Sequence, residues 1–160
     1  RLNDVMAENH LDKHLTMFAG CVNLKTNKLR YSVGAQMPMP ILITDDGAEF
    51  LPGKGRAVGL FSGGEWEVIE RKMPEKYILI AFSDGVLEQL PQESLAEQED
   101  FMLKKLKKCP ADIDKVLPRL GITDVDHLTD DIAVFMFARG HHEQSHDQKT
   151  RSGKDKHEAR

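Results

Sequence analysis

Residues 76–82, reading KYILIAF, are the most apolar run in the chain and constrain its fold more than any other feature. The run is too short for an isolated helix and rich in strand formers, which predicts a central buried strand. It ends at Ser83-Asp84-Gly85, so a carboxylate stands where that strand meets solvent. A second acidic pair, Asp130-Asp131, stands directly before another apolar run, Ile132 to Ala138. If these two strands are antiparallel neighbours, the end of one lies beside the start of the other, and Asp84 and Asp130 converge.

The rest of the chain supplies a frame for such a pair. An amphipathic helix is expected over residues 1–13, with Leu2, Val5 and Met6 on one face. The chain opens on Arg1 inside that helix, so a fragment with a further upstream segment is expected. Strands follow at 14–24 and 28–34, joined by the polar turn Lys25-Thr26-Asn27-Lys28. Met37-Pro38-Met39-Pro40 breaks the pattern, because each proline fixes φ and removes a donor. Ile41–Thr44 resumes as a strand, turns at Asp45-Asp46-Gly47 and returns through Ala48–Leu51. A glycine-rich stretch leads to a strand over 65–71. Helices are expected over 92–108 and 111–120, the second shortened or kinked by Pro118 and stopped by Gly121. Strands first, then two helices, then one strand, with short links between neighbours, argue for an α+β fold of antiparallel sheets with helices outside. Residues 140–160 hold no apolar side chain except Ala159 and read as a disordered polar tail behind a domain of residues 1–139.

Composition removes several classes of function. The net charge of −4, with Lys and Arg scattered among carboxylates, argues against a nucleic-acid or membrane-surface binder. The two cysteines, Cys21 and Cys109, are far apart, which disfavours a disulfide framework or zinc finger and fits a reducing cytoplasm. No apolar run approaches the ~20 residues that span a bilayer.

Carboxylates with few other ligands suit hard divalent cations such as Mg²⁺ or Mn²⁺. Each acidic site also has a plain reading, as a turn after a strand and as a solvated loop before one. Lys54 and Arg56, in Gly53-Lys54-Gly55-Arg56, are candidates for contact with a substrate phosphate, because glycine-rich backbone can aim amides at an anion. The stretch lacks the Lys-Ser/Thr ending of a Walker loop. His10 and His14 have a zinc-like spacing but no third ligand; His127, three residues before Asp130, reads as a loop histidine. Trp66 is expected in the core or at its rim.

In order, LTMFAGCVNLKTNKLRYSVGAQMPMPILI, Gly59-Leu60, KYILIAFSDGVLEQ and LTDDIAVFMF resemble the second half of PP2C-type serine/threonine phosphatases of the SpoIIE branch. The resemblance implies a PP2C-like α/β/β/α sandwich without its first strands and first helix. It implies Asp84 and Asp130 as metal ligands, Gly85 as the turn that follows the first and Asp131 as a supporting neighbour, with Glu88 capping the loop. It implies a centre of two Mn²⁺ or Mg²⁺ ions in the complete domain. The family's Gly-Asp and Asp-x-x-Gly-His-Gly motifs do not occur in this chain, and Gln36 stands where many relatives have a histidine. The implied activity is hydrolysis of phosphoserine or phosphothreonine in a bacterial signalling protein, behind a receiver or sensor domain, on an anti-sigma-factor antagonist. The chain is also similar to the output domain of RssB-like response regulators. That likeness implies the alternative of a degenerate adaptor that binds a sigma factor or another regulatory protein.

Overall fold

The structure, a computed structural model, describes residues 1–8, 13–124 and 128–141. His10, His127 and nearly all of the expected tail lie outside them. After a first helix, α1 (Leu2–Glu8), come six strands: β1 (Met17–Asn23), β2 (Lys28–Gly34), β3 (Ile41–Thr44), β4 (Gly47–Phe50), β5 (Ile69–Lys72) and β6 (Tyr77–Phe82). Then follow α2 (Gly85–Glu88), α3 (Leu95–Leu106), a 3₁₀ turn (Ile113–Lys115), α4 (Val116–Arg119) and β7 (Val134–Arg139).

The strands form two antiparallel sheets, ordered β1-β2-β5 and β4-β3-β6-β7. The expected central strand is β6, paired on both sides and buried on both faces. Because side chains alternate along a strand, it serves two cores at once. Ile78, Ile80 and Phe82 face the helices, against Met102, Leu106, Val116 and Leu120. Tyr77 and Leu79, with Leu42 of the neighbouring β3, face the other sheet, against Leu29, Tyr31 and Val33. The layers are therefore helix, sheet, sheet, as the α+β expectation requires. Ser94 starts α3 with a capping box, its side chain bonding the Glu97 amide while Glu97 reaches back.

Several boundaries differ from the sequence reading. The expected helix over 111–120 is a 3₁₀ turn followed by a four-residue helix, because Pro118 has no N–H to extend a regular ladder. Gly121 ends it at φ +84°. The expected strand over 65–71 is paired only from Ile69. The last strand starts at Val134 rather than Ile132, since the Ser83 hydroxyl bonds the Asp131 carbonyl and the Ala133 amide and interrupts the regular ladder there.

On one side of the sandwich, β4 and β5 carry charge, and Glu49 pairs with Arg71 across the gap between the sheets. On the other side lie β1 and β7, which have no strand beyond them among the described residues.

Candidate metal site

Strands β6 and β7 are antiparallel, with Phe82 opposite Val134. The C-terminal end of β6 and the chain entering β7 therefore lie side by side, which brings the two acidic segments together. Ser83 holds them there. Its amide donates to the Ala133 carbonyl at 3.0 Å, its hydroxyl donates to the Asp131 carbonyl at 3.1 Å, and the same oxygen accepts the Ala133 amide at 2.8 Å. Gln89, just past α2, adds a second clamp by donating to the Thr129 hydroxyl at 2.6 Å.

Gly85 sits in the middle of this contact. A Cβ there would lie 2.5 Å from the Asp131 carbonyl oxygen and 3.4 Å from the Asp130 Cβ. The glycine is required by close approach, and its φ lies outside the left-handed region, so the turn itself does not demand it. Asp84 precedes α2 at its N-cap position without capping it, and its carboxylate bonds none of the described residues. One Asp130 oxygen accepts the Asp131 amide at 2.8 Å, and the other bonds none of the described residues. Both carboxylates are exposed, as is Asp131. Glu88 is exposed at the end of α2 and makes no cap; the loop is held by Ser83 and Gln89 instead.

Gln36 belongs to the same end of the molecule. Its amide donates to the Phe82 carbonyl at 2.7 Å and so pins the loop after β2 to the strand that delivers Asp84. The neighbouring Ala35 amide bonds the Gly55 carbonyl at 3.0 Å, which brings the 53–56 loop to this end as well. Arg56 there stacks its guanidinium over the Phe61 ring, 5.5 Å from the centroid, and its carbonyl accepts the Trp66 indole N–H at 2.8 Å. Trp66 is thus a half-buried rim residue. Lys54 and Arg56 are both exposed. Ser83, Gln89 and Thr129 were not singled out by the sequence, because their partners lie 40–50 residues away.

Carboxylates on two adjoining loops are hard oxygen donors of the type that Mn²⁺ and Mg²⁺ prefer. Among the described residues no group of three or more His, Cys, Asp or Glu comes together. Asp84 and Asp130 therefore fit one part of a metal centre and do not by themselves make a two-metal centre.

The family model for stage II sporulation protein E matches residues 1–140. The chain belongs to the SpoIIE family. No curated protein matches its sequence. The fold matches the RsbU and RsbW domains of Rv1364c from Mycobacterium tuberculosis, with a TM-score of 0.63 and 21% identity over 85% of this chain and 40% of that one. It matches the Mn-presoaked phosphatase domain of the cell-fate determinant SpoIIE from Bacillus subtilis, with a TM-score of 0.61 and 17% identity over 80% of this chain and 58% of that one. It also matches RsbX in complex with magnesium, with a TM-score of 0.60 and 16% identity over 86% of this chain and 60% of that one. This SpoIIE-family chain thus has the fold of PP2C phosphatase domains and spans 40–60% of the length of these three structures. No helix among its described residues is long and apolar enough to cross a membrane.

Proposed function

We propose that this chain is the C-terminal part of a metal-dependent protein serine/threonine phosphatase domain, with Asp84 and Asp130 as two of its Mn²⁺ or Mg²⁺ ligands. The observation that carries the reading is the clamped convergence of the two acidic loops, with Gly85 reduced to hydrogen where they touch. A strand-end turn and a solvated loop that merely happened to be near each other would not need a serine on one side bonded three times to the other. Ions bound in such a centre lower the pKa of a bound water and clamp a phosphate for in-line attack. This chain's contribution is to hold the two acidic loops side by side. Asp131 supports Asp130 through its amide. Lys54 and Arg56, on a loop at the same end, would meet the phosphate of a phosphoprotein substrate.

The setting that goes with this reading is the cytoplasm of a bacterium, in a signalling protein with a receiver or sensor domain, acting on an anti-sigma-factor antagonist or a similar regulator. A second reading is favoured by one observation. Gln36 replaces the histidine found in many relatives and spends its amide on the Phe82 carbonyl, a purely structural bond. That suits a degenerate adaptor, of the RssB-like kind, that binds a sigma factor or another regulatory protein. Mn²⁺ added to the ¹⁵N-labelled chain separates the two. The phosphatase reading expects paramagnetic broadening to begin at the amides of Asp84, Gly85, Asp130 and Asp131. Broadening spread evenly over surface carboxylates, or none, favours the adaptor.

A further inference from the structure

At the end of the sandwich away from Asp84, four segments close around a cavity of about 320 Å³: the end of β3, the start of β6, the end of α3 and the chain leaving β7. Lys76 precedes β6 and Asp84 follows it, so the length of that strand, about 20 Å, separates the cavity from the acidic loops. The floor is apolar and includes buried Ile78 and Cys109. Lys76, Lys107 and Lys108 line the cavity against one carboxylate, Asp45, which leaves a surplus of two positive charges. Lys76 meets Asp45 at 3.7 Å, in an exposed pair that holds neither side chain firmly. The ammonium groups of Lys107 and Lys108 bond none of the described residues. His141 completes the wall. Gly140 turns the chain there at φ +75°, packed so closely that a Cβ would lie 2.7 Å from the Glu75 carbonyl oxygen. The Nε2 atom of His141 is buried and has no hydrogen-bond partner. A buried imidazole nitrogen left unsatisfied is costly, and a ligand that meets it removes the cost. Lysines that follow a helix also offset its dipole. That role calls for neither a cavity nor an orphaned imidazole nitrogen.

We propose that this cavity binds a small organic phosphate. Lys107, Lys108 and His141 donate to the phosphate oxygens, and the carbon body lies on Ile78 and Cys109. A phosphate dianion matches the surplus of two charges, and ammonium and imidazole N–H groups are donors that its oxygens accept. The volume stands at the small end of the range of roughly 300–1,000 Å³ for small-molecule sites, so a short carbon body fits beside the phosphate. The site shares no residue with Asp84, Asp130, Lys54 or Arg56, and it does not depend on the phosphatase reading.

The test is an NMR titration of the ¹⁵N-labelled 160-residue chain in EDTA. The probes are phenylphosphonate, which is not hydrolysed, and inorganic phosphate, at constant ionic strength. Phenylphosphonate is expected to give saturable shifts at the amides of Lys76, Lys107, Lys108, Cys109 and His141. Its affinity should exceed that of inorganic phosphate by about tenfold, since the ring is buried on the floor. Replacing both exposed lysines, Lys107→Gln with Lys108→Gln, should weaken binding by about tenfold or more, the worth of a charge-assisted hydrogen bond. His141→Phe keeps the bulk of the ring, removes Nε2 and should weaken binding by about tenfold. The spectrum away from the cavity is expected to stay that of the parent chain in both variants. The proposal is overturned if the shifts do not saturate or spread over exposed lysines generally. It is also overturned if they fall instead at Lys54, Arg56 and the acidic loops, or if inorganic phosphate binds as tightly as phenylphosphonate. Unchanged affinity in His141→Phe overturns it as well, since the lysines then act as plain surface charge. No metal or activity enters these readouts, so a failure here is distinct from a failure of the phosphatase reading.

Discussion

Replacing Gly85 with alanine is expected to pry the two acidic loops apart. The new carbon would stand 2.5 Å from the Asp131 carbonyl oxygen and 3.1 Å from its carbonyl carbon. Ordinary contact begins at 3.4 Å, so the loops must separate by about 0.9 Å. The obstacle is backbone, which cannot swing aside as a side chain does. The three bonds that Ser83 makes across the gap run from 2.8 to 3.1 Å. A shift of that size takes them past the limit of about 3.5 Å at which they still count as bonds. Each is worth about 0.5–1.5 kcal/mol net, and overpacking alone costs about 1–3 kcal/mol. Since the overlap is relieved by breaking the bonds, the two costs do not add fully, and a loss of about 2–3 kcal/mol is expected. Urea unfolding followed by circular dichroism reads it, with Mn²⁺ affinity measured on the same samples and expected to fall about tenfold, a further 1.4 kcal/mol. Gly121→Ala is the control: φ there is +84° with nothing within 4 Å, so it strains the backbone without crowding and should leave Mn²⁺ affinity unchanged. If Gly85→Ala costs under about 0.5 kcal/mol, the level of an ordinary surface substitution, and leaves affinity intact, the close-approach reasoning is wrong.

Other substitutions probe separate parts of the account. Ser83→Ala removes a hydroxyl that both donates and accepts across the loops, and should cost about 1–2 kcal/mol in urea unfolding and weaken Mn²⁺ binding. Asn3 is 4% exposed and bonds the Gly59 amide at 2.8 Å and the Phe61 carbonyl at 3.0 Å; Asn3→Ala should cost about 1–3 kcal/mol and increase proteolysis at the 59–61 loop. Burial raises the thiol of Cys109 above its ordinary value of 9.0 and the phenols of Tyr31 and Tyr77 above 10.0. Folding then favours their neutral forms, so stability is whole below pH about 9 and falls as pH rises beyond it. The urea midpoint should drop between pH 8 and 10.5, and an unchanged midpoint would count against these burials. A thiol reagent at neutral pH should modify exposed Cys21 at once and Cys109 only on unfolding.

The sequence was readable where one short-range pattern decided the outcome. YILIAF became β6 because a run of six such residues is hidden in a strand covered on both faces, and the Asp45-Asp46-Gly47 turn joined β3 to β4 as its residue types require. That the Asp84 segment and the Asp130 segment lie side by side followed from antiparallel pairing. What was not readable depended on distant partners. The four-residue α2 is too short to show a period. Ser83 acts through residues 48 and 50 positions away. Gly85 reads as a turn glycine until Asp131 is seen lying against it. Pro118 signalled a shortened helix, but only the structure shows a 3₁₀ turn leading into it. The pairing of Glu49 with Arg71 across the sheets could not be read before the strand order was known.

The most direct test of the central claim is a calorimetric Mn²⁺ titration of the chain beside its Asp84→Asn and Asp130→Asn variants. Two carboxylates on one exposed ion predict weak binding, with a dissociation constant on the order of 0.1–1 mM, the weak end of carboxylate sites. Each variant should lose it, because a single carboxylate is left. Binding that survives both substitutions, or a parent chain that takes up no Mn²⁺, would contradict the assignment of Asp84 and Asp130 as a metal-holding pair.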